Sequence, residues 1–152
     1  MNTEDSLLPI VTTDSAALAW AYDPADPTPA VGGRNLVVPS GPKDQKDVES
    51  REDVLVFTTP PLLKDMEVTG RIKAVVYADS SQIDTDVAIR LTDVYPDGRS
   101  ILIADGIGRL HGDSSKQIDR DLYEVEIDLW STSMVFAKGH QLRISVSSAL
   151  YP

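Results

Sequence analysis

A hydrolytic centre built on serine needs a hydroxyl on a strained turn, an imidazole base, a carboxylate to orient that base and donors for the oxyanion. The chain carries imidazole at two positions, His111 and His140. His140 stands in Lys138-Gly139-His140 at the entry to a strand and reads as a turn residue hydrogen-bonded to backbone. His111 falls in a polar loop and reads as solvated. No Gly-x-Ser-x-Gly elbow is present. Gly112-Asp113-Ser114-Ser115-Lys116 comes nearest, with lysine where the second glycine belongs. The chain therefore reads as holding no triad and no catalytic residue of its own.

Carboxylates and aromatics offer the remaining chemistry. Asp84 and Asp86 are two apart, so in an extended strand they face one side. With Asp79, Asp93 and Asp97 near in sequence, they are the calcium candidates. The EF-hand ligand rhythm and its glycine are absent. The preferred reading is that the pair caps a loop and holds a neighbouring arginine or backbone amides, leaving no metal site. Trp20, Tyr22 and Trp130 are the candidates for stacking on a ligand or for facing another domain. Aromatic residues are 6% of the chain, which favours covering or docking over a carbohydrate platform. No cofactor is expected.

The elements that position these residues must come from 152 residues, enough for one domain with an ordinary core. Apolar residues at 41% and charged residues at 25% suit a globular protein. A net charge of -10 repels phosphate backbones and anionic bilayers, so neither nucleic acid nor membrane is an expected partner. Cysteine is absent, which removes disulfides and thiolate chemistry. Met1 to Asp5 is polar and Leu7 to Val11 is too short for a signal-peptide core, so the expected location is the cytoplasm.

The first half reads as loop. Pro24, Pro27 and Pro29, then Gly32-Gly33, then Pro39-Ser40-Gly41-Pro42, oppose regular structure. Lys43 to Asp53 is a charge run, expected to be a solvated loop. Pro60-Pro61 ahead of Leu62 to Asp65 allows one helical turn. From Val54 onward the period is two. Val68, Gly70, Ile72, Ala74, Val76 and Ala78 share a face, and Val87, Ile89 and Leu91 alternate with Ala88, Arg90 and Thr92. Tyr123, Val125, Ile127 and Leu129 alternate with Glu124, Glu126 and Asp128. Leu142, Ile144 and Val146 alternate with Gln141, Arg143 and Ser145. Pro96-Asp97-Gly98 is the turn between two strands. This is half-buried strand patterning, about seven or eight strands by the spacing rule. The fold class is all-β, a two-sheet antiparallel β-sandwich with jelly-roll crossovers, as one domain over 1–152 with 1–17 as a lead-in.

Several segments now combine into one signature. They are Tyr22-Asp23-Pro24-Ala25-Asp26-Pro27-Thr28-Pro29, Gly41-Pro42-Lys43-Asp44-Gln45, Arg51 to Phe57, Asp84-Thr85-Asp86, Asp93-Val94-Tyr95-Pro96-Asp97-Gly98 and Lys138 to Arg143. In this order and spacing the chain, from about Trp20 to Pro152, resembles the C-terminal, non-catalytic domain of the X-Pro dipeptidyl-peptidase and cocaine esterase (CocE/NonD) family of serine hydrolases. The resemblance implies a galactose-binding-like jelly roll. It also implies a partner: an α/β-hydrolase domain that carries the serine, aspartate and histidine, with ester or X-Pro peptide substrates. The domain would help shape that partner's cleft. The alternative is a stand-alone jelly-roll module for carbohydrate or another small ligand. Two departures stand out. Arg109 to Ser115 is less basic than in the family, and relatives run on past the Ser147-Ser148-Ala149-Leu150-Tyr151-Pro152 motif into another strand. The second departure implies an open sheet edge that favours a homo-oligomer.

Overall fold

A computed structural model describes residues 5–6 and 17–152. The lead-in's apolar stretch, Leu7 to Val11, lies outside the described residues. The strands are β1 Asp5–Ser6, β2 Leu55–Thr58, β3 Met66–Ala78, β4 Asp86–Val94, β5 Ser100–Arg109, β6 Ser115–Gln117, β7 Tyr123–Phe136 and β8 Gln141–Ser147, with one helical turn, α1 Lys46–Glu49. One sheet has the order β1-β2-β8-β4-β5 and the other β3-β7-β6. Every pairing is antiparallel except the short parallel contact of β1 with β2. This is the expected two-sheet sandwich. Among the described residues no helix is long and apolar enough to cross a membrane.

The Pro96-Asp97-Gly98 turn forms as its residues require. The Gly98 amide donates to the Tyr95 carbonyl at 2.9 Å, and the Asp97 carboxylate accepts the Arg99 amide at 3.1 Å. Gly98 takes φ +89°, a region closed to most side chains. The turn folds β5 back onto β4, and the inward side chains Val87, Ile89 and Leu91 meet Val125, Ile127, Leu129 and Phe136 of β7 in the core. The two sheets come closest where β5 lies on β7. A Cβ placed on Gly106 would stand 2.6 Å from the Asp128 carbonyl oxygen, so glycine is what allows this approach. On the opposite side the sheets splay. There β2 and β8 face β3 across an apolar cleft of about 1840 Å³, whose walls include Leu55, Phe57, Ile144, Ile72, Ala74 and Val76.

Three expectations are corrected. β4 is not half-buried but buried on both faces. The reason is that the irregular segment 23–54 lies across the outer face of the five-stranded sheet and seals a polar layer beneath it. In that layer Arg90 donates to Ser147 Oγ at 3.0 Å and to the Pro29 and Ala149 carbonyls at 3.2 Å each. Second, the charge run Lys43 to Asp53 is not a solvated loop. Val48 is buried, and the enclosed Glu49 carboxylate accepts from Ser100 Oγ at 2.7 Å, Thr92 Oγ1 at 3.2 Å and Arg143 Nη1 at 2.7 Å. Third, Pro60 to Asp65 forms no helical turn. The Leu62 amide donates to the His140 carbonyl and its own carbonyl accepts from Gly139, which holds the segment extended. The cover is laced to the far end of the chain as well: Ala30 donates to the Tyr151 carbonyl at 2.6 Å, and Tyr151 donates to the Thr28 carbonyl at 3.0 Å.

Candidate functional site

The side chains most prepared to meet a partner gather at one loop and one bulge. Glycines at 33 and 41 close the loop by exchanging backbone hydrogen bonds of 2.9 Å in both directions. Gly33 has φ +76°, and a Cβ there would fall 2.4 Å from Asp105 Oδ2. Inside the loop, Asn35 Oδ1 accepts the amides of Val37 at 3.2 Å and Val38 at 2.8 Å, while its amide group donates to the Gly32 carbonyl. These bonds fix the backbone. The tip presents Leu36 and Val37 to water at 103% and 77% relative exposure. Beneath the loop is a cavity of about 250 Å³ lined by Gly33, Pro42, Leu102, Asp105, Thr132 and Met134.

Beside this loop, β7 changes phase. Asp128 opposes Lys73 and Trp130 opposes Ile72, so Leu129 is the extra residue of a bulge. Trp130 takes φ +68°, the one positive φ outside glycine among the described residues. Such a conformation costs about 1–3 kcal/mol and must be held by its surroundings. Asp128 holds it by accepting the Trp130 amide at 2.9 Å, and Arg71 in turn clamps Asp128 through two nitrogens. The Arg34 guanidinium lies 4.6 Å from the Trp130 ring centroid and donates to the Asp105 carbonyl at 2.6 Å. The indole stays 59% exposed.

Arg71, and after it the Trp130 amide, lowers the Asp128 carboxyl to about 2 from an ordinary 3.8. The depressed value fixes the sign. The bulge clamp is fully present above pH 3.8 and is lost as pH falls toward 2. A carboxyl-carbon NMR titration should place the Asp128 midpoint near 2, with the Trp130 indole resonance moving in step. An ordinary midpoint, or an indole that does not follow, would show the clamp to be absent.

The residues singled out by type are placed as follows. His140 keeps its place in a turn, with its amide on the Ala137 carbonyl. Its ring departs from the backbone-bonding expectation: Nδ1 meets the two oxygens of the buried Asp93 at 2.9 and 3.1 Å. His111 is not simply solvated, because its ring packs edge-on against Tyr123 at 4.4 Å. Among the described residues no serine hydroxyl hydrogen-bonds either imidazole. Asp84 and Asp86 are both held by Arg109, at 3.3 and 2.9 Å. Trp20 donates from its indole to Ser148 Oγ at 2.9 Å and, with Tyr22, lines the cleft. Trp130 stands apart from them at the Arg34 loop. Sequence reasoning missed Arg34, Leu36 and Val37. Their signal was three consecutive apolar residues, Leu36-Val37-Val38, between Gly-Gly and Pro with no strand around them.

A family model described as the X-Pro dipeptidyl-peptidase C-terminal non-catalytic domain matches residues 2–152. The chain belongs to that family. It is 40% identical over 149 residues to cocaine esterase of Rhodococcus sp. (strain MB1 Bresler), an alignment covering 93% of this chain and 26% of that protein. The chain thus spans about a quarter of that relative's length. Among solved structures it is similar to an aminopeptidase from a marine sediment archaeon, Thaumarchaeota archaeon. There the TM-score is 0.64 and the identity 29%, over 72% of this chain and 20% of that one. A CocE/NonD family hydrolase from Staphylococcus aureus shares the fold, with a TM-score of 0.58 and 16% identity over 72% of this chain and 25% of that one. The matching family description is that of a non-catalytic domain.

Proposed function

We propose that this domain is the accessory part of a serine hydrolase acting on esters or X-Pro peptides, and that it docks on the catalytic domain through the Leu36-Val37 tip. The observation that carries the reading is that tip. Two adjacent aliphatic side chains stand in water on a loop whose backbone is braced from within, so they cannot fold away. Exposed apolar groups in a fixed frame mark an interaction surface. Trp130 and Arg34 flank them, and tryptophan and arginine are over-represented among residues that dominate binding energy. A catalytic domain fits as partner because the relatives are about four times longer than the matched region. Placed at the mouth of that domain's cleft, Leu36 and Val37 add apolar wall to the acyl side of a substrate.

The test is a paired substitution, Leu36→Asp with Val37→Asp, in the full hydrolase and in the 152-residue chain. In the hydrolase, kcat/KM for an aryl ester should fall at least tenfold, and the accessory domain should become the first site of limited proteolysis. In the short chain the thermal midpoint should move by no more than about 3 °C, since each of the two exposed changes stays within roughly 0.5 kcal/mol. Unchanged kinetics in the hydrolase would remove the tip from the interface.

A further inference from the structure

The dipeptide Asp-Gly occurs twice in the chain, at Asp97-Gly98 and at Asp105-Gly106. In such a pair the glycine nitrogen can attack the preceding side-chain carboxyl, because no Cβ blocks the approach. The fold puts the two copies in opposite settings. Asp97 and Gly98 are exposed in the β4–β5 turn, and a Cβ placed on Gly98 would meet nothing within 4 Å. Gly106 lies inside β5, opposite Ile89 of β4 and pressed against β7, where a Cβ would stand 2.6 Å from the Asp128 carbonyl oxygen. Arg34 holds Asp105 by both its carbonyl and its carboxylate.

We infer that Asp97-Gly98 is a site of spontaneous modification, converting through a succinimide to isoaspartate, and that Arg99 is its brake. This goes beyond the docking role proposed for Leu36-Val37 and uses none of its residues. In the first step the Gly98 nitrogen bonds to Asp97 Cγ. The Cγ–OH bond breaks, and the hydroxyl leaves as water with the proton that the nitrogen gives up. In the second step water adds to one of the two ring carbonyls and reopens the ring. Addition at Cγ restores aspartate. Addition at the main-chain carbonyl carbon leaves the backbone running through Cβ and Cγ, with that carbonyl now a free carboxylate. One water is lost and one gained, so mass and charge are unchanged.

The Asp97 side chain is already folded toward its neighbour. Its Oδ1 accepts the Arg99 amide at 3.1 Å, a bond that carries the carboxylate across the intervening glycine. Two contacts oppose ring closure. The Gly98 amide is engaged with the Tyr95 carbonyl at 2.9 Å, and Arg99 Nε donates to Asp97 Oδ2 at 2.8 Å. The Arg99 amide, and after it the guanidinium, holds the Asp97 carboxyl below the ordinary carboxylate range, and the ionised form has no hydroxyl to expel. The Tyr95 ring, with its centroid 4.4 Å from the guanidinium, keeps Arg99 in place. Isomerisation lengthens the turn by one backbone carbon. The 2.8 Å bond from the Tyr95 amide to the Arg99 carbonyl then loses its register.

Trypsin separates the two copies, one in the peptide Leu91 to Arg99 and the other in Ser100 to Arg109. The 152-residue chain is aged at neutral pH, folded and in denaturant, until the denatured sample reacts. Electron-transfer fragmentation then quantifies isoaspartate in each peptide. In denaturant both peptides should gain it at comparable rates. In the folded chain Leu91 to Arg99 should gain it and Ser100 to Arg109 should not. Arg99→Gln, in which the lost cleavage leaves one longer peptide and the fragments assign the residue, should speed the reaction at Asp97 about threefold, the size of effect an exposed ion pair carries. Equal yields in the folded chain, a yield confined to Ser100 to Arg109, or none in either peptide would overturn the site. An unchanged rate in Arg99→Gln would overturn the brake. The comparison of the two peptides needs no variant, so it stands if Arg99→Gln folds poorly.

Discussion

Arg90→Ala should lower the thermal midpoint by roughly 9 °C, from a loss of about 3 kcal/mol. Arg90 is 1% exposed, and its contacts are the Ser147 hydroxyl and the Pro29 and Ala149 carbonyls. No carboxylate touches it. Burial, the largest influence, pulls its pKa down from the ordinary guanidinium range to about 10, with Asp105, Glu49 and Asp53 opposing at a distance. The desolvation of the cation works against the fold, so removing it returns part of what the substitution loses. What dominates is the aftermath: the Pro29 carbonyl loses its Arg90 donor, the Ser147 hydroxyl and the Ala149 carbonyl keep only their bond to each other, and a cavity opens between β4 and its cover. The sign of the pH effect follows from the depressed value. Below about 10 both folded and unfolded chains keep the proton and Arg90 contributes no slope; above it the folded chain gives up the proton first, so this group's contribution favours folding more as pH rises. Calorimetry at neutral pH checks the magnitude. A midpoint within 2 °C of the parent would show that the polar layer adds little.

Gly106→Ala is expected to cost about 2–3 kcal/mol, or roughly 6–9 °C, by a purely steric route. Gly106 lies in β5, and its new methyl would meet the Asp128 carbonyl oxygen at 2.6 Å and Leu129 Cδ2 at 2.9 Å. A backbone oxygen cannot rotate away as a side-chain tip can. β5 and β7 must separate, and the splay that begins at the cleft extends to the closed side of the sandwich. Increased binding of an apolar dye at temperatures well below the midpoint should accompany the loss. If stability holds and the dye does not bind, the sheets are less closely seated at Gly106 than the distance implies.

The sandwich was legible because its inward residues keep a strict period of two. Val87, Ile89 and Leu91, and Val125, Ile127 and Leu129, are core positions in the structure as in the pattern. Legibility stopped where contacts come from distant sequence. Nothing local to Arg90 or Thr92 says that segment 23–54 will cover them, so a buried polar layer read as a wet face. In β7 the bulge at Leu129 reverses parity, and Thr132, Met134 and Phe136 take over the inward side from odd-numbered residues. A single-period reading therefore ended the strand seven residues early, at Leu129 rather than Phe136. Among the candidate residues, Trp130 was visible by type, while its strained backbone was not. Leu36 and Val37 were overlooked because a run of aliphatic residues looks the same whether the fold buries it or displays it. The Asp84–Asp86 pair was read through its chemistry, and the structure places both carboxylates on Arg109.

The lacing of Thr28 and Ala30 to Tyr151 has a kinetic consequence. Residues that leave the ribosome early cannot reach their final partners until residues more than a hundred positions later have been made. Pairings of such long sequence separation are slow to close. The cover over Arg90 is therefore a late event in folding, and during synthesis the polar face of β4 waits in water for the end of the motif that seals it.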